Sequence, residues 1–267
     1  MQLSRRVALG GVQLDAANSA IVIRGVETAD GKESITAVGT AAGFGQRVTG
    51  ARRDTMDIVV RFAIDIRKTN LSGRAAALED ANAWAARAAG GTWMTVNYRS
   101  GRRIFVRLVQ APGEGNIRDW VKEFQMTFRA YEIPYWEDAE ESTKSAEAGT
   151  SGLEAFTIGG SAPAQIDITV ENTGEGTINE ISIAAGGKSM AFADLGLLAG
   201  ETLYIDHTDS GLVRIRIKDS NNAYRSAMAK RASTADDDYL AQPGATSFSY
   251  LADGSCTVTA GWRARYL

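Results

Sequence analysis

With 267 residues, 44% of them hydrophobic and 23% charged, the chain has the composition of an ordinary globular protein of one or two domains. A net charge of −3 is too small to point to a nucleic-acid or membrane partner, and no segment approaches the roughly 20 apolar residues that cross a bilayer. The single cysteine, Cys256, excludes an intrachain disulfide.

The start, Ser4-Arg-Arg-Val-Ala-Leu9, has the look of a twin-arginine signal, but Gly10-Gly11, Gln13 and Asp15 break the apolar run, so it reads as a strand. Val7–Leu14 and Ala20–Val26 are β-rich. Ile35–Val48 is Gly-rich and reads as a loop with a short strand. In Asp57–Ile66, residues Ile58, Val60, Phe62, Ile64 and Ile66 share one face, the period of a half-buried strand. Residues 71–89 are dominated by Ala, Leu, Arg and Glu and predict a helix. Asn70 or Ser72 serves as its cap, Gly90-Gly91 as its stop, and Leu71, Leu78, Ala81, Ala85 and Ala88 as its buried stripe with Trp84 at the edge. Trp93–Tyr98 and Arg103–Gln110 flank a Ser100-Gly101 turn as a hairpin. Pro112-Gly113-Glu-Gly115 predicts a turn into a long strand, Trp120–Tyr131, with Trp120, Phe124, Met126, Phe128 and Ala130 on one face.

After Pro134-Tyr135-Trp136 the apolar pattern stops. Residues 138–153 are acidic and rich in Ser, Ala and Gly, which predicts a linker between a domain at 1–137 and another at 154–267. The second half is almost purely β. Ile166, Ile168 and Val170 alternate with polar residues, and Val213, Ile215 and Ile217 alternate with Arg214, Arg216 and Lys218. About eight short strands follow one another, ending with Tyr224–Ala229, Thr246–Tyr250 and Cys256–Tyr266. This spacing predicts an antiparallel sandwich or barrel, and the absence of βαβ alternation speaks against a doubly wound nucleotide-binding fold. Residues 1–138 carry 19 Lys/Arg against 15 Asp/Glu, and residues 139–267 carry 10 against 17, net charges of +4 and −7. Opposite signs suit different neighbours or attraction between copies, although solvated surfaces account for them equally well.

Nothing catalytic stands up. The only histidine, His207, pairs on paper with Ser210 or Cys256, but it lies in a polar turn and reads as a surface residue. Two His/Cys residues cannot close a zinc site. Asp236-Asp237-Asp238 lacks the alternation of a calcium loop and reads as a solvated loop. Gly187-Lys188-Ser189 lacks the earlier glycine of a phosphate loop. No metal or cofactor is therefore expected. The basic hairpin Tyr98–Arg107 suits a nucleic-acid backbone, a solvated tip or an ion pair to another subunit.

The order of elements resembles the distal tail (Dit) proteins of long-tailed bacteriophages. The helix with Trp84, Gly90-Gly91, the hairpin Trp93–Gln110 and Phe128-Arg-Ala-Tyr-Glu-Ile-Pro-Tyr-Trp136 carry the likeness in the first half. Gln242-Pro243-Gly244 and Val258-Thr-Ala-Gly-Trp-Arg-Ala-Arg-Tyr-Leu267 carry it in the second. The resemblance implies a mainly β protein, an N-terminal α+β domain followed by a galectin-like antiparallel β-sandwich. It also implies a non-enzymatic homohexameric ring at the virion tail tip, assembled in the host cytoplasm. Such a ring joins the tail tube to hub or fibre proteins, with the tape measure protein a further neighbour and DNA only in transit through the channel. On that reading Arg99, Arg102 and Arg103 at the hairpin tip are candidates for the interface between subunits. The alternative is glycan binding by the sandwich, with Tyr224 and Tyr239 as stacking candidates and Trp262 more naturally a core residue.

Overall fold

The computed structural model describes residues 6–28, 32–39, 46–65, 67–69, 71–118, 121–209, 211–232 and 236–267, with the backbone alone in 32–39, 46–54, 71, 113–118 and 121–122. Expectations resting on Ser4 and Arg5, Ile66, Asn70, Trp120 and Ser210 lie outside the described residues. The chain divides into two compact units, Met1–Trp136 and Glu137–Leu267.

The first unit is built from β1 (Val7–Leu9), β2 (Val12–Gln13), β3 (Ile21–Thr28), β4 (Lys32–Gly39), β5 (Gln46–Asp65), β6 (Thr92–Val96), β7 (Arg102–Arg118) and β8 (Val121–Ala130). Two helices, α1 (Leu14–Ala17) and α2 (Leu71–Ala86), accompany them. The sheet order is β2-β1-β6-β7-β8-β5-β3, and the described pairings are antiparallel. The alternation in β5 and β8 does what its period dictates: Ile58, Val60, Phe62 and Ile64, with Phe124, Met126, Phe128 and Ala130, are buried. Phe62 and Phe124 sit directly opposite one another, rings stacked at 5.3 Å and 18°. Such a pair adds about 0.5–1.5 kcal/mol beyond its burial.

Helix α2 lies on this face through alanines, since small side chains allow a close approach. Ala77, Ala81, Ala85 and Ala88 are buried while Leu78 is only partly so. Trp84, expected at the stripe's edge, is 2% exposed, meets Phe128 edge-on at 5.9 Å and donates its Nε1 hydrogen to the Val12 carbonyl at 2.7 Å. Gly91, at φ +95°, leaves room for the Phe105 ring, which an added Cβ would meet at 2.7 Å.

Two loop expectations are corrected. Of residues 35–48, read as a loop with a short strand, the described ones belong to β4 and β5, which pair from Lys32↔Thr55 to Gly39↔Gln46. The Gly-rich composition hid a register that cross-strand hydrogen bonds maintain. Pro112-Gly113 does not turn the chain. β7 runs through it, and its pairing with β8 shifts register between Gln110 and Gly113. Proline lacks an amide hydrogen and is tolerated at such an irregularity.

β9 (Trp136–Asp138) carries the chain into the second unit. There follow β10 (Ser142–Ser145), β11 (Gly149–Ile158), β12 (Ala164–Asn172), β13 (Ile181–Ala185), β14 (Lys188–Phe192), β15 (Thr202–His207), β16 (Val213–Lys218), β17 (Tyr224–Ser226), β18 (Leu240–Ala241), β19 (Gly244–Trp262) and β20 (Arg265–Tyr266). The order is β14-β13-β19-β12-β15-β16-β17. The first part of β19 pairs β13 and β11, its last part β12 and β10, so this one strand curls the antiparallel sheet around a common core. Ile166, Ile168, Val170, Ile183, Phe192, Leu203, Ile205, Phe248 and Val258 fill that core.

The stretch 138–153 is not a tether. β10 and the start of β11 are hydrogen-bonded to β19, with Ser142↔Trp262 and Gly152↔Tyr250 in register. Their composition is poor in apolar residues because most of their side chains face solvent. Gly152 lies under the Tyr250 ring, which an added Cβ would meet at 2.6 Å. Thr246–Tyr250 and Cys256–Tyr266, expected as separate strands, fall largely in β19. It is one strand of 19 residues, and Gly254 lets it pass the Ile178 side chain, 2.9 Å from where a Cβ would stand.

Candidate assembly and binding surfaces

Strands β6 and β7, joined through a 3-10 turn at Asn97–Arg99, place the three arginines read as interface candidates. All three are partly buried. The Arg103 guanidinium carbon lies 3.7 Å from the centre of its own Trp93 ring, and that of Arg99 lies 5.0 Å from Trp136. The hairpin thus presents cations braced on aromatic faces rather than loose on a solvated tip.

Earlier in the chain, β4 and the first part of β5 form an arm. Ten residues of β5, Gln46–Thr55, face only β4 among the described residues, before β8 joins at Met56 and β3 at Ile58. At about 3.3 Å per residue the arm reaches about 30 Å. A two-stranded ribbon is marginally stable by itself in water, so such an arm calls for a surface to lie on.

In the second unit the two tyrosine candidates part company. Tyr239 is 0% exposed and donates its hydroxyl hydrogen to the Ile183 carbonyl at 3.0 Å, and burial raises its pKa. It offers no ring face to a sugar, which corrects that expectation: the neighbouring acids suggested a solvated loop, yet the ring turns inward. Tyr224 is 52% exposed, beside Tyr204 and Arg216. Sequence reading had noticed the outward alternation of Arg214, Arg216 and Lys218. What escaped it was that Tyr204 and Tyr224 come from strands on either side of that row. Trp262 is 8% exposed and packs at 4.3 Å on Phe156, as a core residue does.

His207, expected at the surface, ends β15 with its side chain only 6% exposed, its Nδ1 2.6 Å from Asp167 Oδ1. Its other ring nitrogen, Nε2, is buried without a hydrogen-bond partner among the described residues. Cys256 is fully buried, and desolvation pushes its thiol up to about 11, the opposite of an activated nucleophile. Asp236 accepts hydrogen bonds from the Ser189 amide at 2.8 Å and Lys188 Nζ at 3.1 Å, which hold its carboxyl below the ordinary value. That carboxylate serves as a clasp for β14. Among the described residues no group of three His, Cys, Asp or Glu converges in a way that could hold a metal ion, and no helix is long and apolar enough to cross a membrane.

An open groove of about 400 Å³ is lined by Ile181, Phe192, Leu251 and Ala252, with Glu180 and Asp253 at its margin. Both Asp253 oxygens are engaged by the Asn179 amide. Arg225 and Glu201 form a different kind of contact. Glu201 Oε1 and Oε2 accept from Arg225 Nη1 and Nη2 at 2.5 and 2.6 Å, and Oε2 also accepts from the Leu198 amide at 2.8 Å. Arg225 first, then the amide, hold the carboxyl below its ordinary value against the opposing effect of burial. The pair ties β17 to the turn before β15.

Neither a family model nor a curated protein sequence matches the chain. Solved structures do. The SPP1 Dit (gp 19.1) protein, a paradigm of the hub adsorption apparatus in phages that infect Gram-positive bacteria, matches with a TM-score of 0.71 at 14% identity, over 98% of this chain and 99% of that one. A chain of the phage P2 baseplate, in its activated conformation with Ca, matches with a TM-score of 0.50 at 8% identity over 97% and 98%. From end to end, then, this chain has the fold of a phage distal tail hub protein.

Proposed function

We propose that the protein is a structural component of a phage tail tip. Six copies close a ring that joins the tail tube to the distal baseplate or receptor-binding apparatus. The observation that carries this reading is the whole-chain likeness to SPP1 Dit, a hub of an adsorption apparatus. Physical features on the page agree with it. Closing a ring needs a head-to-tail interface, and the β4–β5 arm, with only its own two strands paired among the described residues, is suited to lie on a neighbouring copy. Arg99, Arg102 and Arg103 would set register there by meeting a neighbour's acids. No catalytic constellation competes with this role among the described residues. Its partners are further copies of itself, the tail tube protein and hub or fibre proteins, with the tape measure protein adjacent. It resides in the virion.

The test is light scattering with negative-stain imaging of the purified chain, alone and with tube protein. A ring with six times the 28.5 kDa mass is expected. A species that stays monomeric even with tube protein refutes the reading. Reversing Arg102 and Arg103 to glutamate should weaken ring closure; unchanged assembly would remove those residues from the interface.

A further inference from the structure

At one edge of the second sheet, cross-strand register gathers a cluster on the outward face. Thr169 opposes Tyr204, Tyr204 opposes Arg216, and Arg216 opposes Ser226. One step along, Thr202 opposes Lys218 and Lys218 opposes Tyr224. The Arg216 guanidinium carbon is 4.3 Å from the centre of the Tyr224 ring and 5.8 Å from that of Tyr204. The two rings lie 6.2 Å apart, inclined at 59°.

The charges in this cluster are unevenly spent. Asp206 receives Arg214 through both its oxygens and Arg216 Nη2 at 2.7 Å. Arg216 Nη1 donates no hydrogen bond, Lys218 makes no ion pair, and neither tyrosine hydroxyl is bonded, all among the described residues. Asp167, Glu171 and Asp206 share this face with Arg214, Arg216 and Lys218, and Arg216 Nη1 and Lys218 are the cationic groups that no carboxylate engages among the described residues.

We propose that this face binds a saccharide bearing an anionic group, a uronic acid or a sugar phosphate. The sugar's C–H face stacks on Tyr224, and the anion is held by Arg216 Nη1 and Lys218 Nζ. Residues two apart on one strand face lie about 6.6 Å from each other, so both cations serve one charged ring substituent. Charge-assisted hydrogen bonds supply orientation, and the ring face supplies apolar contact. Thr169, Thr202 and Ser226 border the cluster with hydroxyls, matching a sugar's rim of donors and acceptors. Arg216 covers one face of the Tyr224 ring and the sugar takes the other; an acidic peptide would meet the same cations but gains little from that aromatic face.

Isothermal titration of the full-length protein with trigalacturonate and mannose 6-phosphate tests this, with maltotriose and a glutamate hexapeptide as controls. At least one anionic sugar should bind, about tenfold more weakly after Tyr224→Ala and after Lys218→Gln, with circular dichroism unchanged in both variants. Binding should also fall in high salt, where charge contacts are screened. Failure of both anionic sugars overturns the proposal. So does equal binding of the hexapeptide, equal binding of maltotriose, or indifference to Tyr224→Ala. Ring assembly of the Tyr224→Ala protein is read separately, so a failure here leaves the hub reading intact.

Discussion

Replacing Arg225 by methionine isolates Glu201, a nearly buried carboxylate in the second unit that rests on a single cation. The Glu201 side chain is 5% exposed, while that of Arg225 is 43% exposed. Breaking a fully buried pair costs about 3–5 kcal/mol, because one charge is left without its partner. Water reaches Arg225, and the Leu198 amide stays bonded to the carboxylate, so about 2 kcal/mol is the better figure. Methionine keeps the aliphatic stem, so the change is chiefly electrostatic. By the usual conversion this is about a 30-fold rise in local opening. Hydrogen exchange read by mass spectrometry on peptides from β15 and β16 measures it directly. The pH dependence gives the sign. Glu201 has a lowered pKa in the folded protein, so the pair's stabilisation is complete above the ordinary value of 4.5 and fades as pH falls below it. The gap between native protein and variant should therefore narrow from pH 7 to pH 3.5. Adding Glu201→Gln to the variant removes the orphaned charge and should recover part of the loss. A gap under threefold at pH 7, or one that stays constant with pH, would refute the reasoning.

Two further outcomes follow from packing. Gly152→Ala should destabilise the protein by about 1–3 kcal/mol, since the new methyl meets a Tyr250 ring whose hydroxyl is anchored to the Glu147 and Cys256 carbonyls. Thermal melting should show a fall of about 2–4 °C per kcal/mol, and an unchanged midpoint would contradict the close approach. Cys256 should resist Ellman's reagent at pH 8 in the folded state and react at once in denaturant, because its thiol is buried and titrates near 11. Rapid labelling of the native protein would show that β19 opens readily.

Much of the molecule was legible where one side of an element faces a core and the other faces water. The alternations of β5, β8, β12 and β16 announced themselves, and the alanines of α2 marked a helix lying close to a sheet. Where neither side is buried, period carries no information. β10 and β11 looked like a linker because their ladder to β19 is made by backbone groups, which composition does not encode. The pairing of β4 with β5 was missed because it too is made by backbone groups. The candidate residues divide similarly. Tyr224, named as a stacking aromatic, is exposed, but polar surroundings put Tyr239 and His207 at the surface, where neither side chain lies. A local polar sequence says nothing about which way one ring turns.

Sequence by itself determined the classes of element, the β-rich second half and the long helix α2. These follow from side-chain chemistry summed over short windows. Tertiary structure alone decided that residues 142–158 join a sheet, that one 19-residue strand spans two groups of neighbours, and that Tyr204, Arg216 and Tyr224 converge from three strands. Those facts depend on cross-strand register, a relation between residues distant in the chain that no local pattern contains.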